Sequence, residues 1–174
     1  DRNLDEQRFN NALESAFEAG LIVDAAVARN DADCHLFWSL RDDVEQVMHG
    51  GLPVVFDVSM PIAEMEGFAD GLRHALPDQI GEHKLWIFGH LGDGNLHVIV
   101  QVKPQDYMSA RPKIEALVYG ALKPFSGSVS AEHGIGLEKK PYLSVSRNPQ
   151  ELALMRLLKN ALDPKCLLNP GKIL

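Results

Sequence analysis

Three histidines and one glutamate, set in two glycine-rich stretches, are the residues of this chain best suited to chemistry. The first stretch, Gly89-His90-Leu91-Gly92-Asp93-Gly94-Asn95-Leu96-His97, places two histidines around an Asp-Gly turn. Glycine and Asx residues accept positive φ, so a hairpin here folds the chain back and makes His90 and His97 neighbours. Two neutral imidazoles side by side can bind a divalent metal. A glycine-rich hairpin with flanking histidines is equally common as an ordinary surface turn. The second stretch, Ser130-Ala131-Glu132-His133-Gly134-Ile135-Gly136, tilts the balance toward a site. It sets a carboxylate beside a third histidine, between glycines that let backbone approach a ligand closely. Two His and one Glu form a common zinc set that leaves an open position. His133 is then free to act as a base. A metal-dependent hydrolase with the same His/His/Glu site, activating water, is the alternative chemistry.

The elements that must position these residues follow from hydrophobic period. Residues 5–19 carry Phe9, Leu13, Ala16 and Phe17 on one helical face, and Gly20 follows as a cap. Leu21–Ala28 reads as a buried strand. Asp31 or Asp33 caps a helix through about Met48, and Gly50-Gly51 breaks it. Val54–Ser59 is a strand ended by Pro61, and Ile62–Ala75 a helix. Leu85–Phe88 and Leu96–Val102 are strands, with Trp86 and Phe88 assigned to the core. A helix runs from Pro104 to about Leu122, Ser126–Ser130 is short and extended, and Asn148-Pro149 opens a last helix. This order predicts an α+β fold, a ferredoxin-like antiparallel sheet with helices mainly on one face and room for two such subdomains.

Composition bounds the rest. A chain of 174 residues with 45% hydrophobic residues can bury an adequate core without disulfides. Its net charge of −7 argues against nucleic acid and anionic membrane as partners. No apolar run reaches the roughly 18 residues of a membrane span. Cys34 and Cys166 lie far apart, without CxxC spacing, and read as buried, reduced thiols of a cytoplasmic protein. The chain opens on Asp1 rather than Met, directly ahead of a helical pattern, as an excised piece of a longer protein would.

These stretches together resemble the C-terminal domain of FAD-linked oxidases, the group that includes D-lactate and D-2-hydroxyglutarate dehydrogenases and the FAD subunit of glycolate oxidase. The match is carried by GHLGDGNLH at Gly89–His97, SAEHGIG at Ser130–Gly136, DVSMP at Asp57–Pro61, DPKCLLNPGKI at Asp163–Ile173 and Trp38-Ser39-Leu40-Arg41, which looks like the family's W-x-L-R. The resemblance implies that residues 1–174 are one cap and substrate domain of a longer flavoenzyme. FAD would be held mainly by an N-terminal domain this chain lacks, so the chain alone would be inactive. It implies His90, His97 and Glu132 as ligands of a divalent metal; the donor set itself suits zinc, with iron or manganese as alternatives. It further implies His133 as the base, Arg41 as the grip on the substrate carboxylate and Asn169 as a cofactor contact. The partners implied are a small 2-hydroxy acid, the chain's own FAD-binding domain and an unidentified electron acceptor. The location expected is cytoplasmic, or membrane-peripheral or organellar for the full-length protein.

The chain departs from the 2-hydroxyglutarate enzymes in places. They carry a lysine where this chain has Val55, an asparagine where it has Ile99, and a threonine where it has Glu45. The resemblance therefore points away from a second carboxylate and toward a substrate with a less polar side chain.

Overall fold

The computed structural model describes residues 2–174. Asp1, on which the chain opens, lies outside them. The chain divides into two compact units, Asp1–Val44 and Glu45–Leu174. No helix among the described residues is long and apolar enough to cross a membrane.

The first unit holds two helices, α1 (Arg2–Glu18) and α2 (Asp31–Asp42). The cap of α2 is Asn30 rather than either aspartate. Its extended backbone lets its side chain accept from the Asp33 N–H, while Asp33 accepts from the N–H of Arg29. The helix stops at Asp42, and a short 3₁₀ turn follows over Val44–Met48. The strand expected over Leu21–Ala28 does not form. That segment is irregular, and Leu21 and Val23 are exposed. A β-branched run becomes a strand only with a ladder to join, and here Asp24 instead accepts a local hydrogen bond from Ala25. Cys34 and Cys166 are free and exposed, not buried.

The second unit is built on a three-stranded antiparallel sheet of β1 (Leu52–Ser59), β2 (Lys84–His90) and β3 (Asn95–Val102), in the order β1-β3-β2. Helices α3 (Met65–Ile80) and α4 (Tyr107–Ala121) supply the layer behind it. Val54, Phe56 and Val58 of β1 and Leu96, Val98, Val100 and Val102 of β3 point into that layer, as period-two alternation demands. They meet Phe68, Leu72 and Leu76 of α3 and Ile114 and Val118 of α4, residues at helical spacing. Burial of each such side chain contributes roughly 1.5–3 kcal/mol. In β2 the inward residues are Leu85 and Ile87. Trp86 and Phe88, expected in the core, lie on the opposite face, because an offset of one residue reverses every side chain of a strand.

Beyond α4, Ser128 pairs with Ser59 in an isolated antiparallel bridge at the free edge of β1. The spatial order is then Ser128, β1, β3, β2. This is the ferredoxin-like order with its fourth strand reduced to one bridge, and it occurs once among the described residues. The chain closes with α5 (Leu143–Ser146), α6 (Pro149–Leu162) and a tail. A capping box between Asn148 and Glu151 starts α6. The tail returns to the loop after Ser130, where the N–H of Ile173 donates to Gly136 O.

Candidate functional site

The sheet face away from α3 and α4 carries the candidate residues. In the ladder, Asp57 stands opposite His97 and His97 opposite Phe88. One step toward the hairpin tip, Ser59 faces Asn95 and Asn95 faces His90. His90 and His97 are therefore diagonal neighbours on one face, with ring centroids 5.3 Å apart.

Two glycines make this hairpin possible. A Cβ on Gly89 would lie 2.2 Å from Asn95 O, so only glycine admits that cross-strand approach. Gly94 has φ +73, and its Cβ would lie 2.2 Å from Met60 O. The same contact fixes the hairpin, since Met60 N–H donates to Gly94 O at 3.0 Å.

Glu132 and His133 arrive from the loop that follows the Ser59–Ser128 bridge. The N–H of Ala131 donates to Asp57 O at 3.2 Å. The N–H groups of Glu132 and His133 both donate to Asp57 Oδ2, at 2.9 and 3.0 Å. The loop thus lies along the edge of β1 and turns its side chains toward the histidines. His90 Nε2 is 3.5 Å from Glu132 Oε1. Asn95 Nδ2 donates to the same carboxylate oxygen. The His133 ring stacks on that of His97, centroids 6.5 Å apart, with Nδ1 3.6 Å from Asp57 Oδ2 and Nε2 3.9 Å from Glu132 Oε2.

His90, His97 and Glu132 each offer one ligand atom, and these atoms all lie within 4.8 Å of one another. Two imidazoles and a carboxylate form a donor set suited to a divalent cation. Beside them, Asp57 Oδ1 and Asn95 Oδ1 are buried with no hydrogen-bond partner. The set and the surplus of acceptors fit a cation.

Asp57 is the residue that sequence reasoning passed over, noting it only as part of a motif. It is a buried carboxylate within an apolar strand. Burial by itself would raise its pKa. The N–H groups of Glu132 and His133 and the charges of Lys139 and His133 outweigh burial and hold it below the ordinary carboxylate value. Lys139 Nζ lies 3.6 Å from Asp57 Oδ2 and donates to Ser130 Oγ at 2.9 Å. The signal was available in the sequence, as an aspartate inside the run Val54-Val55-Phe56-Asp57-Val58.

Asn169 is not in this cluster. Arg41 lies in the last turn of α2 in the first unit, paired with Asp42 at 2.8 Å and with its guanidinium 5.8 Å from the Trp38 ring centroid. Asn169 has a left-handed backbone, φ 46, and helps line a cavity of about 560 Å³ with Lys159, Cys166, Leu168 and Lys172. Of the remaining histidines, His74 and His83 make local contacts to the backbone oxygens of Asp70 and Gly81.

The chain belongs to the family described as FAD linked oxidases, C-terminal domain, whose model matches residues 1–173. Among curated proteins it is 40% identical over 167 residues to D-2-hydroxyglutarate dehydrogenase of Xanthomonas citri pv. viticola, covering 93% of this chain and 35% of that protein. It is 36% identical over 172 residues to the mitochondrial D-2-hydroxyglutarate dehydrogenase of Danio rerio, covering 98% and 32%. It is 34% identical over 176 residues to the mitochondrial enzyme of that name from Arabidopsis thaliana, covering 100% and 31%. The chain spans about a third of the length of these relatives.

Proposed function

We propose that this chain is the substrate-side domain of an FAD-dependent oxidoreductase that converts a 2-hydroxy acid to the 2-oxo acid. The observation that carries this reading is the convergence of His90, His97 and Glu132 with His133 against the same face, in a chain of this family. That relation favours flavin chemistry over the hydrolytic alternative.

Oxidation of a 2-hydroxy acid removes the Cα hydrogen with its electron pair and the hydroxyl proton, leaving a C=O bond. FAD, when bound, supplies the acceptor for the electron pair. A divalent metal, zinc by its ligand set, would be held by His90, His97 and Glu132, and its chemistry is to make a hydroxyl more acidic. His133 takes the hydroxyl proton at Nε2, the nitrogen on the Glu132 side. Asn95 holds the Glu132 carboxylate in place through its Nδ2. Arg41 keeps its assignment to the substrate carboxylate from its motif alone, and a guanidinium suits that task through paired hydrogen bonds. Asn169 is assigned to the cofactor on the same footing.

The finer reading is a substrate with an apolar side chain. Next to the row Asp57–His97–Phe88, the same face carries the row Val55–Ile99–Trp86, whose central Ile99 is buried. Val55 is 50% exposed and Phe88 37%, so an apolar strip adjoins the cluster. It holds no cation for a second carboxylate.

The test uses the whole protein containing this chain, purified with its flavin. Aliphatic 2-hydroxy acids should bleach the flavin under anaerobic conditions with higher kcat/KM than 2-hydroxyglutarate, and His90→Ala should lose the metal by elemental analysis. A protein whose flavin no 2-hydroxy acid reduces would sink the activity. A preference for 2-hydroxyglutarate would sink only the substrate class, and full metal in His90→Ala only the ligand assignment.

A further inference from the structure

We infer that Asp57, with Lys139 balancing its charge, is the positioning residue of this site, fixing the Glu132–His133 loop and setting the tautomer and aim of the His133 ring. The inference rests on the hydroxy-acid reading above. Asp57 is 2% exposed, and it sits at an outward position of a strand whose other residues are largely apolar. A buried charge persists only where partners replace its water. Its partners here are few, and all lead to one loop. Oδ2 accepts from the N–H groups of Glu132 and His133, and the main-chain oxygen accepts from Ala131. Lys139, with its side chain 12% exposed, approaches the same Oδ2 and donates to Ser130 Oγ, which in turn donates to Gly134 O. The segment from Ser130 to Gly134 is thus held from inside by one carboxylate and one ammonium.

Loop anchoring alone does not account for the rest of the geometry. Oδ2 also faces His133 Nδ1 at 3.6 Å, and Oδ1, without a hydrogen-bond partner, faces His97 Nδ1 at 4.0 Å. The His133 side chain is 65% exposed, so the scaffold constrains it little. Asp57 at Nδ1 and Glu132 at Nε2 are the charged groups that face its ring. Asp57 Oδ2 is the nearer carboxylate, 3.6 Å from Nδ1 against 3.9 Å for Glu132 Oε2 at Nε2, and Glu132 already accepts from Asn95 and is assigned to the metal, so the arrangement favours the tautomer with hydrogen on Nδ1. The lone pair then lies on Nε2, where the substrate proton must go.

An asparagine separates the two roles. Asp57→Asn keeps an oxygen for the two N–H groups and removes the charge. In the flavin-loaded protein, Asp57→Asn should lower kcat by about 10- to 100-fold. KM, zinc content and thermal midpoint should stay near wild type. Long-range ¹⁵N spectra at mildly alkaline pH should report the Nδ1–H tautomer for His133 in the wild type and a mixture in the variant. The wild-type spectrum needs no substitution, so the inference is exposed even if the variant folds poorly. An Nε2–H tautomer in the wild type would overturn it. So would a variant with wild-type kcat, or one whose loss of rate is matched by loss of zinc or of folded protein. A wild type that no 2-hydroxy acid reduces removes the activity itself, and it is seen before any substitution is made.

Discussion

Asp57 stands directly opposite His97 in the β1–β3 ladder, with Oδ1 4.0 Å from the imidazole Nδ1. The pair joins two stretches distant in sequence, and the Glu132–His133 loop is tied to the same carboxylate. Histidine hairpin and glutamate loop therefore share one reference point on β1.

The hairpin tip should be intolerant at one glycine and indifferent at another. Gly94→Ala forces a Cβ onto a left-handed residue and into Met60 O. It should cost about 2–4 kcal/mol in urea unfolding. Gly92→Ala meets open space and should stay within about 0.5 kcal/mol of wild type. Equal effects at the two positions would contradict the packing described.

His133→Gln should slow flavin reduction by about 10²- to 10⁴-fold, the range for loss of a general base. The content of any metal bound by the proposed ligands should be unchanged, because the His133 ring is not among the three grouped ligand atoms. Stopped-flow reduction alongside elemental analysis separates the two quantities.

Val55→Lys places a cation in the Val55–Ile99–Trp86 row. The kcat/KM ratio of 2-hydroxyglutarate to an aliphatic 2-hydroxy acid should rise about tenfold, a difference near 1.4 kcal/mol. An unmoved ratio would take that row out of the substrate pocket.

Asp163 offers a pH test remote from the histidines. Lys159 and the N–H groups of Leu168 and Leu167 lower its pKa from 3.8 to about 2. A carboxyl depressed in the folded state stabilises fully above its unfolded value, and that stability is lost as pH falls through the folded one. Asp163→Asn should therefore lower the thermal midpoint at neutral pH. The gap from wild type should close between about pH 4 and pH 2. A gap that is constant with pH would assign the effect to packing.

The sequence made the histidines legible because glycines punctuate them. A hairpin between two apolar runs had to bring His90 and His97 together, and it does. Glu132 was legible only through its motif, since nothing local says that the loop lies along the edge of β1. The role of Asp57 was hidden for the same reason, its partners being distant in the chain. The layer of α3 and α4 followed from helical spacing. Trp86 and Phe88 were misplaced because an apolar run does not reveal which alternate residues face inward. Leu21–Ala28 looked like a strand by composition, but pairing is a property of a neighbour, not of a segment.

The clasp at the end of β1, where Ser59 meets Ser128 and Met60 meets Gly94, has a consequence for how the molecule comes together. The strand that turns Phe56 and Val58 into the core turns Asp57 out toward the histidines. A slip of one residue would bury the carboxylate among aliphatic side chains and leave the cluster without its anchor. Folding and assembly of the reactive groups are thus one event, proofread by the same register. A one-residue deletion within Leu52–Ser59 should abolish both together, leaving no stable protein with an empty or misaligned centre.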